Sequence, residues 1–426
     1  MINTVRKDIW INSYPIFLWL ALEPIVGLID SKIASVINLD TLSAIGIGET
    51  IYFVFIWVFI FLAYGTTPLV SSLNTKNEVN KLTYFIKFGR NVSVILGLGS
   101  FLILYLSSGY LISTFQPTGN IKLLSSDYLV FRCIGLPFYL VNMHSTAVLR
   151  GLKYAKITFY SALIVSISNI LFSLFFGIFL GLGAAGIGFA SSLAFFCASI
   201  YSTVILKKQL NKIPPSQELI DKPSMQKKFF SVGVYILIRS LFLTLFMAYL
   251  RNRSSLMSMQ EIALQHILLQ LWSVGYIFVD AIAIAAQTLI SELISKKEKY
   301  QKSALQKELV SVTTVISFFL AIMTVIFLEN LIEIFGGDSF DLYINLQLKI
   351  LVALSLFIGC YAFLWDGVLL GLDRSKEFSL LTVVSSVAGF LVCAYLLRTQ
   401  NTISTLWIGL NVSLILRSLL GYVYQK

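Results

Sequence analysis

Charged side chains are scarce in this chain. Asp, Glu, Lys and Arg make up 12% of its 426 residues, whereas about a quarter is usual for a soluble domain. Apolar residues make up 57%, and the mean hydropathy is +0.83. This composition excludes a soluble globular enzyme, a disordered protein and a nucleic-acid-binding protein.

Metal-binding and catalytic signatures are also missing from the sequence. The four cysteines lie in apolar runs and form no CxxC pair, so neither a zinc site nor a disulfide framework is expected. No GxxxxGK[ST] or HExxH motif occurs, and no GxSxG motif sits in a strand–turn–helix context. We therefore expect no enzyme, no bound metal and no cofactor, and any transport would be driven by an ion gradient.

Long apolar runs fill most of the chain. A membrane-spanning helix needs about 20 mainly apolar residues, and twelve runs reach that length. The predicted spans are 12–36, 44–70, 92–113, 126–149, 157–182, 184–206, 229–250, 263–290, 309–328, 346–370, 378–397 and 403–423. The first run is too long for a cleaved signal peptide, so we expect it to be retained. The pattern predicts an all-α polytopic protein of the lipid bilayer.

One polar stretch divides the predicted spans into two sets of six. Residues 207–228 contain three prolines and six lysines, which is typical of a linker. We predict an N-terminal lobe at 1–206, a cytoplasmic linker at 207–228 and a C-terminal lobe at 229–426.

The basic residues agree with this layout. With the N-terminus in the cytoplasm, the cytoplasmic segments hold 23 Lys and Arg residues, and the segments on the opposite side hold 4. Such an excess is the pattern expected of cytoplasmic loops. We therefore expect both termini in the cytoplasm, with a bacterial inner (plasma) membrane as the default location.

The two halves of the sequence resemble each other at one constant offset. Residues 42–73 align with 262–293, residues 111–115 with 331–335, and residues 147–156 with 367–376, all without a gap. Six spans per half make the repeat parallel, with its axis along the membrane normal. The predicted fold is thus twelve helices in two six-helix lobes related by a parallel internal repeat, which is a transporter design.

A series of motifs then points to a family. In chain order they include EPIVGLIDSKIAS (23–35), YLVFRCIGLPFYLVNMHSTAVLRGLKYAK (128–156), GLGAAGIGFASS (181–192), IALQHILLQLWSVGYIFVDAIAIAAQ (262–287) and WDGVLLG (365–371). Each motif alone is weak, but the ordered set covers essentially the whole chain. The sequence resembles the multidrug and toxic compound extrusion (MATE) family, and within it the DinF-like branch.

This resemblance implies an antiporter that expels organic, often cationic, compounds in exchange for H⁺ or Na⁺. In the family an ion-coupling site lies in the N-terminal lobe. Carried over by motif, it comprises Asp30 in span 1, Asn169 and Ser173 in span 5, and Ser191 in span 6. Ser173 stands where the family usually has an Asp. Because hard cations favour several oxygen ligands including carboxylates, the missing carboxylate favours H⁺ over Na⁺.

The residues themselves support a role for span 1. An ionised carboxylate in the membrane must pair, face water or bind a proton, so Asp30 is a candidate proton carrier; solvation near the outer headgroups is the alternative. Glu23 lies on the same helix face, roughly two turns earlier. Pro24 removes a backbone hydrogen bond and is predicted to kink the helix, either statically or during a conformational change. Asn169 and Ser173 share one face of span 5, where small polar residues can also simply join helices.

Further candidates lie elsewhere in the membrane. Arg239 cannot lose its proton and needs an acidic partner, for which Asp280 is the first choice; the pair is either structural or involved in coupling. Asp366 is expected to be solvated or to pack between helices at the inner end of span 10. Glu49 is expected at a water-exposed rim of span 2.

We thus predict a secondary antiporter for organic cations or amphipathic compounds, coupled to H⁺ or, as second choice, Na⁺. Its expected partners are a small-molecule substrate and the lipid bilayer, without nucleic acid, and it is expected to act as a monomer. A flippase for lipid-linked oligosaccharides is one alternative, although it would need more arginines in the spans than this chain has. A membrane scaffold without transport activity is the other.

Overall fold

The computed structural model describes residues 2–115, 117, 119–211, 221–254, 257–336 and 345–425. Within its helices, the side chains of residues 2–4, 23, 259, 263, 299 and 333–336 are outside the description. Residues 212–220, the middle of the predicted linker, are outside it as well.

Nearly all described residues are helical. The helices of the first half are α1 (Ile2–Ile37), α2 (Leu39–Val58), α3 (Phe61–Tyr64), α4 (Thr66–Thr75), α5 (Val79–Ser113), α6 (Ile121–Cys133), α7 (Leu136–Gly151), α8 (Ala155–Phe172), a π-helical segment (Ser173–Phe179) and α9 (Gly183–Leu210). Those of the second half are α10 (Lys222–Ser254), α11 (Met259–Ser295), α12 (Lys299–Gly336), α13 (Leu346–Gly371), α14 (Ser375–Leu396) and α15 (Ile403–Tyr424).

These helices confirm the predicted fold class. Among the described residues, ten helices are long and apolar enough to cross a membrane, and the pair α6–α7 makes an eleventh span when counted together. Helix α1 covers the first predicted span at 12–36. Every predicted span therefore falls on one helix or on consecutive helices, as span 2 does on α2, α3 and α4, which is expected of a multi-pass membrane protein.

Span 4 differs from its prediction as one continuous helix. It is broken between α6 and α7, whose axes form an angle of 45°. Pro137 lies in the first turn of α7, where its missing N–H costs no helical hydrogen bond. The proline therefore marks the start of a new helix within this span.

The chain forms two compact units. The N-terminal unit comprises Leu18–Gly233, and the C-terminal unit comprises Met1–Phe17 together with Val234–Lys426. Helix α1 is thus shared, with its first half in the C-terminal unit. The predicted lobes at 1–206 and 229–426 did not include this exchange, and their boundaries stay a prediction.

The internal repeat is visible in the helix ends. Asn38 caps α2 by accepting a hydrogen bond from the Thr41 N–H at 2.7 Å. Ser258, at the equivalent position of the second repeat, caps α11 by accepting one from the Glu261 N–H at 3.3 Å. A side-chain acceptor at this position satisfies an N–H group that the helix leaves unpaired.

The turns that end the helices repeat as well. The described residues outside glycine with positive φ are Asn77, Lys153, Lys297 and Asp373, at 55°, 66°, 60° and 62°. The offset of the repeat carries Asn77 onto Lys297 and Lys153 onto Asp373. In each turn the next residue donates its N–H back across the turn, as Glu78 does to the Leu73 carbonyl at 3.0 Å, which is the Schellman pattern.

Helix packing follows the same repeat. A methyl group on Gly151 would lie 2.6 Å from the Thr67 carbonyl oxygen, and one on Gly371 would lie 3.1 Å from the Gln287 carbonyl oxygen. Gln287 is the repeat equivalent of Thr67, as Gly371 is of Gly151. Both halves therefore need a glycine where the helix of span 4 or 10 touches the backbone of span 2 or 8.

Candidate functional site

Asp30 lies in the interior of the N-terminal unit. It is on the second half of α1 and is 3% exposed. The surrounding sequence of α1 is apolar, so the helix forms without help from this carboxylate. A buried carboxylate requires hydrogen-bond donors around it.

Helix α8 and the π-helical segment supply those donors. Asn169 Nδ2 donates to Asp30 Oδ2 at 3.0 Å, and Ser173 Oγ lies 3.1 Å from Asp30 Oδ1. Ser173 Oγ also lies 2.8 Å from Asn169 Oδ1. Three residues predicted at the ion-coupling site thus lie together, with Asn169 and Ser173 4% and 0% exposed.

The hydroxyl of Ser173 has too few donor hydrogens to make both of these contacts as a donor. Its hydroxyl carries one hydrogen, yet it faces an acceptor on Asp30 and another on Asn169. Both contacts become hydrogen bonds when Asp30 Oδ1 is protonated and donates to Ser173, which then donates to Asn169. The three side chains then form a closed ring in which Asn169 donates back to Asp30.

The backbone changes its geometry at Ser173. Regular α-helix ends at Phe172, and the π-helical segment runs from Ser173 to Phe179. A π-helical insertion shifts the direction of the side chains that follow and is frequent at functional sites. This change of helix type was not expected from the apolar pattern, which is the same for both.

Ser191 on α9 is the fourth predicted site residue, and it joins the same network. Its hydroxyl donates to the Ile187 carbonyl at 3.2 Å. It accepts from Asn169 Nδ2 at 3.3 Å and from Arg132 Nη1 at 2.7 Å. The structure therefore brings Asp30, Asn169, Ser173 and Ser191 together.

Arg132 also belongs to this network, although it was not among the predicted site residues. It is on α6 and is 7% exposed. Its guanidinium lies 4.6 Å from the ring centre of Tyr52 and 5.6 Å from that of Tyr128. Nη2 lies 3.6 Å from a carboxylate oxygen of Glu49, which also accepts from the Tyr128 hydroxyl at 3.3 Å.

A local signal for this arrangement was present. Tyr128 and Arg132 are four residues apart on α6, so they occupy one helix face. Glu49 was expected at a water-exposed rim of span 2, but its side chain is 25% exposed and is paired with Arg132. Because the partner helices are far apart in sequence, hydropathy alone did not reveal the ion pair.

Glu23 and Pro24, the two other candidates in span 1, are not placed in this network by the structure. The side chain of Glu23 lies outside the described residues. Helix α1 continues through Pro24 without interruption, and a kink there stays a prediction.

The C-terminal unit holds a second buried ionic cluster. Asp366 is 6% exposed and accepts hydrogen bonds from Arg239 at 3.1 Å and from Arg417. The arginines also lie over aromatic rings, at 5.0 Å from Phe378 and 5.2 Å from Phe363. Asp366 is therefore in the interior and not in solvent, and two buried guanidinium groups share its carboxylate.

Asp280 is the last of the predicted acidic candidates. Asp280 is partly buried, and its pairing with Arg239 stays a prediction. Arg417, on α15, was not among the predicted candidates, and the structure makes it a partner of Asp366.

The ion-coupling candidates have no acidic counterpart in the second repeat. The repeat equivalents of Asp30, Asn169 and Ser173 are Leu250, Gly389 and Cys393. Leu250 and Cys393 are 1% and 0% exposed. The equivalent of Ser191 is Asn411, which is 3% exposed, so the second lobe keeps a polar residue at that position but lacks the carboxylate of the network.

Comparisons with known proteins agree with this fold. The MatE family profile matches residues 15–175 and 234–395. Protein DETOXIFICATION 43 of Arabidopsis thaliana is 22% identical over 78% of this chain and 62% of its own length. The probable multidrug resistance protein NorM of Pasteurella multocida is 22% identical over 99% of this chain and 93% of its own. The chain thus spans about three-fifths of the first of these relatives.

Solved structures share the whole architecture. A mutant of the Vibrio cholerae MATE transporter VcmN superposes with a TM-score of 0.90 at 16% identity, over 100% of this chain and 97% of that one. A MATE crystal structure in the bent conformation gives 0.89 at 16% identity, over 99% and 94%. At such low identity the likeness establishes the fold.

Proposed function

Since the chain belongs to the MatE family, we propose that it is a secondary antiporter that exports organic cations or amphipathic compounds in exchange for protons. Its two lobes would alternate access to a substrate site, as repeated lobes do in other secondary transporters. The name of the NorM relative, a probable multidrug resistance protein, supports export as the direction. The motifs favour the DinF-like branch of the family.

The observation that carries the proposal is the hydrogen-bond ring around Asp30. Ser173 lies within hydrogen-bond distance of both Asp30 and Asn169. Its single hydrogen serves one of these contacts, so both are hydrogen bonds only when Asp30 is protonated and donates to Ser173. A lone carboxylate in such a ring gains or loses one proton and changes the hydrogen bonds of two helices. That is the property a proton-coupled helix movement needs.

Sodium coupling receives less support. Na⁺ is a hard cation and favours several oxygen ligands, carboxylates among them. The network offers one carboxylate, since Ser173 occupies the position that would supply the second. We therefore assign H⁺ as the coupling ion.

The remaining proposals concern the setting of the transporter. The 23 to 4 distribution of basic residues supports cytoplasmic termini. We place the protein in a bacterial inner membrane and expect a monomer, because the family repeat supplies both lobes in one chain.

The proposal is tested with purified protein in liposomes under an imposed pH gradient, with ethidium as the fluorescent organic cation. We expect efflux of ethidium that requires the pH gradient. Asp30→Asn removes the proton-binding group, so its flux is expected to fall to that of protein-free liposomes. Asp127→Asn is the matched control, since Asp127 is an exposed carboxylate of the same unit, and it is expected to transport like the parent.

Other results would redirect the assignment. Flux that follows a sodium gradient would keep the antiporter and overturn proton coupling. No flux under either gradient would overturn export of organic cations and favour the flippase or scaffold alternatives. The flippase has little support at present, because Arg132, Arg239 and Arg417 are each paired with a carboxylate and are not available as a pyrophosphate site.

A further inference from the structure

The hydroxyl of Ser191 has no capacity left for a metal ion. A serine hydroxyl has one hydrogen and two acceptor sites. The hydrogen is donated to the Ile187 carbonyl at 3.2 Å. The acceptor sites are used by Asn169 Nδ2 at 3.3 Å and Arg132 Nη1 at 2.7 Å. A cation could bind to this oxygen only after the guanidinium had moved away.

Aromatic rings and a carboxylate hold the guanidinium of Arg132 in place. Tyr52 and Tyr128 place their rings 4.6 and 5.6 Å from it, and Glu49 lies 3.6 Å from Nη2. Aromatic faces and a carboxylate both attract a cation. The short backbone approach of α6 to α9 adds to this: a methyl group on Gly188 would lie 3.2 Å from the Arg132 backbone nitrogen.

The charge on Arg132 is permanent, because a guanidinium is not deprotonated in proteins. Several ionisable groups surround the network, contributed by three helices. They are Asp30 from α1, Glu49 and Tyr52 from α2, and Tyr128 and Arg132 from α6. Glu49 balances Arg132, so the cluster carries no net charge whether Asp30 is protonated or binds a sodium ion. The two states differ at Ser191, whose hydroxyl a sodium ion would have to share with the guanidinium.

We propose that Arg132 determines the coupling ion: it occupies the hydroxyl that would complete a sodium shell and keeps a fixed positive charge beside it, so Asp30 exchanges protons only. This inference rests on the proposed antiport and adds a specificity-determining residue to it. Arg132 acts through Ser191 and is a positioning residue, because it does not itself carry the proton.

The test measures sodium binding as well as transport. The variant is Arg132→Gln, whose side chain carries no charge and is too short to reach Ser191 in place of the guanidinium Nη1. Arg132→Lys is the matched control, because it keeps the charge. Binding is followed as the sodium-dependent rise of the melting temperature of the purified protein, with choline chloride replacing sodium chloride at equal ionic strength.

We expect no sodium effect in the parent or in Arg132→Lys, and a saturable sodium effect in Arg132→Gln. Removing a unit charge about 5 Å from the bound ion, at an effective dielectric constant of about 20, strengthens cation binding roughly 300-fold. In liposomes, the Gln variant is expected to gain ethidium efflux under a sodium gradient. A folded Arg132→Gln protein that ignores sodium would overturn the proposal, as would a parent that binds it.

A second variant and a separate readout distinguish the possible reasons for failure. If Arg132→Gln does not fold because Glu49 is left unpaired, the double variant Arg132→Gln, Glu49→Gln removes both charges and is expected to show the same sodium effect; its absence would refute the role of Arg132. Failure of the proposed function looks different. A parent without proton-driven efflux would refute the antiport, while sodium binding gained in Arg132→Gln would still identify Arg132 as the residue that excludes sodium.

Discussion

The buried cluster around Asp366 makes a prediction about stability. Asp366 is 6% exposed, Arg239 is 7% exposed and Arg417 is 2% exposed. Asp366→Asn keeps the shape of the side chain and removes its charge, so the two guanidinium groups face a neutral amide. Removing one partner of a buried ion pair costs about 3–5 kcal/mol, since the remaining charge is desolvated without compensation.

This loss is large enough to measure by melting. The unit that contains Asp366 has about 200 residues, and in a soluble domain of that size 1 kcal/mol corresponds to roughly 2–4 °C. We therefore expect the melting temperature of Asp366→Asn to fall by roughly 6–20 °C. Tryptophan fluorescence is a suitable assay, because Trp365 is 5% exposed beside the cluster.

Controls separate the ion pair from a general effect of substitution. Asp127→Asn changes an exposed carboxylate and is expected to melt within roughly 2 °C of the parent. The double variant Asp366→Asn, Arg417→Gln removes one uncompensated charge, so its loss should be smaller than the sum of the two single losses. A melting temperature of Asp366→Asn equal to that of Asp127→Asn would refute the reasoning, as would strictly additive losses.

Two further predictions follow from other parts of the chain. Ser173→Ala removes the hydroxyl that links Asp30 to Asn169, so proton-driven ethidium efflux should slow and Ser173→Thr should preserve it; equal rates for the two variants would contradict the hydrogen-bond ring. Lys297 has a φ of 60°, a conformation that costs a non-glycine residue about 1 kcal/mol, so Lys297→Gly should raise the melting temperature slightly and Lys297→Val should lower it. A Gly variant that melts below the parent would show that the strain is not where we place it.

Much of the fold was predictable because it follows from composition and periodicity. The bilayer demands long apolar helices, and the twelve runs marked them directly. The repeat was also predictable, since one constant offset relates the two halves of the sequence. In the structure it carries the cap at Asn38 onto Ser258 and the turn at Lys153 onto Asp373. The break in span 4 was not predicted, because Pro137 lies within an apolar run and proline is tolerated in many membrane helices.

The candidate site was predictable only in part. Asp30, Asn169, Ser173 and Ser191 were selected by resemblance, and the structure brings them together. Arg132 escaped notice because its importance depends on helices far away in sequence.

Partners in the second lobe were missed for the same reason. Asp366 was judged by its depth in one span, whereas its environment is set by Arg239 and Arg417 on two other helices. Contacts between helices decide which ionisable groups are balanced, and a single sequence does not encode them in its periodicity.

The division of α1 between the two units has a consequence for biosynthesis. Residues Met1–Phe17 belong with Val234–Lys426, and Ile9 is buried in a cluster with Ile282 and Leu309. At a translation rate of about 5–20 residues per second, Ile282 and Leu309 leave the ribosome roughly 14–60 s after Ile9. The segment Met1–Phe17 is therefore made long before its partners and packs only after they have left the ribosome.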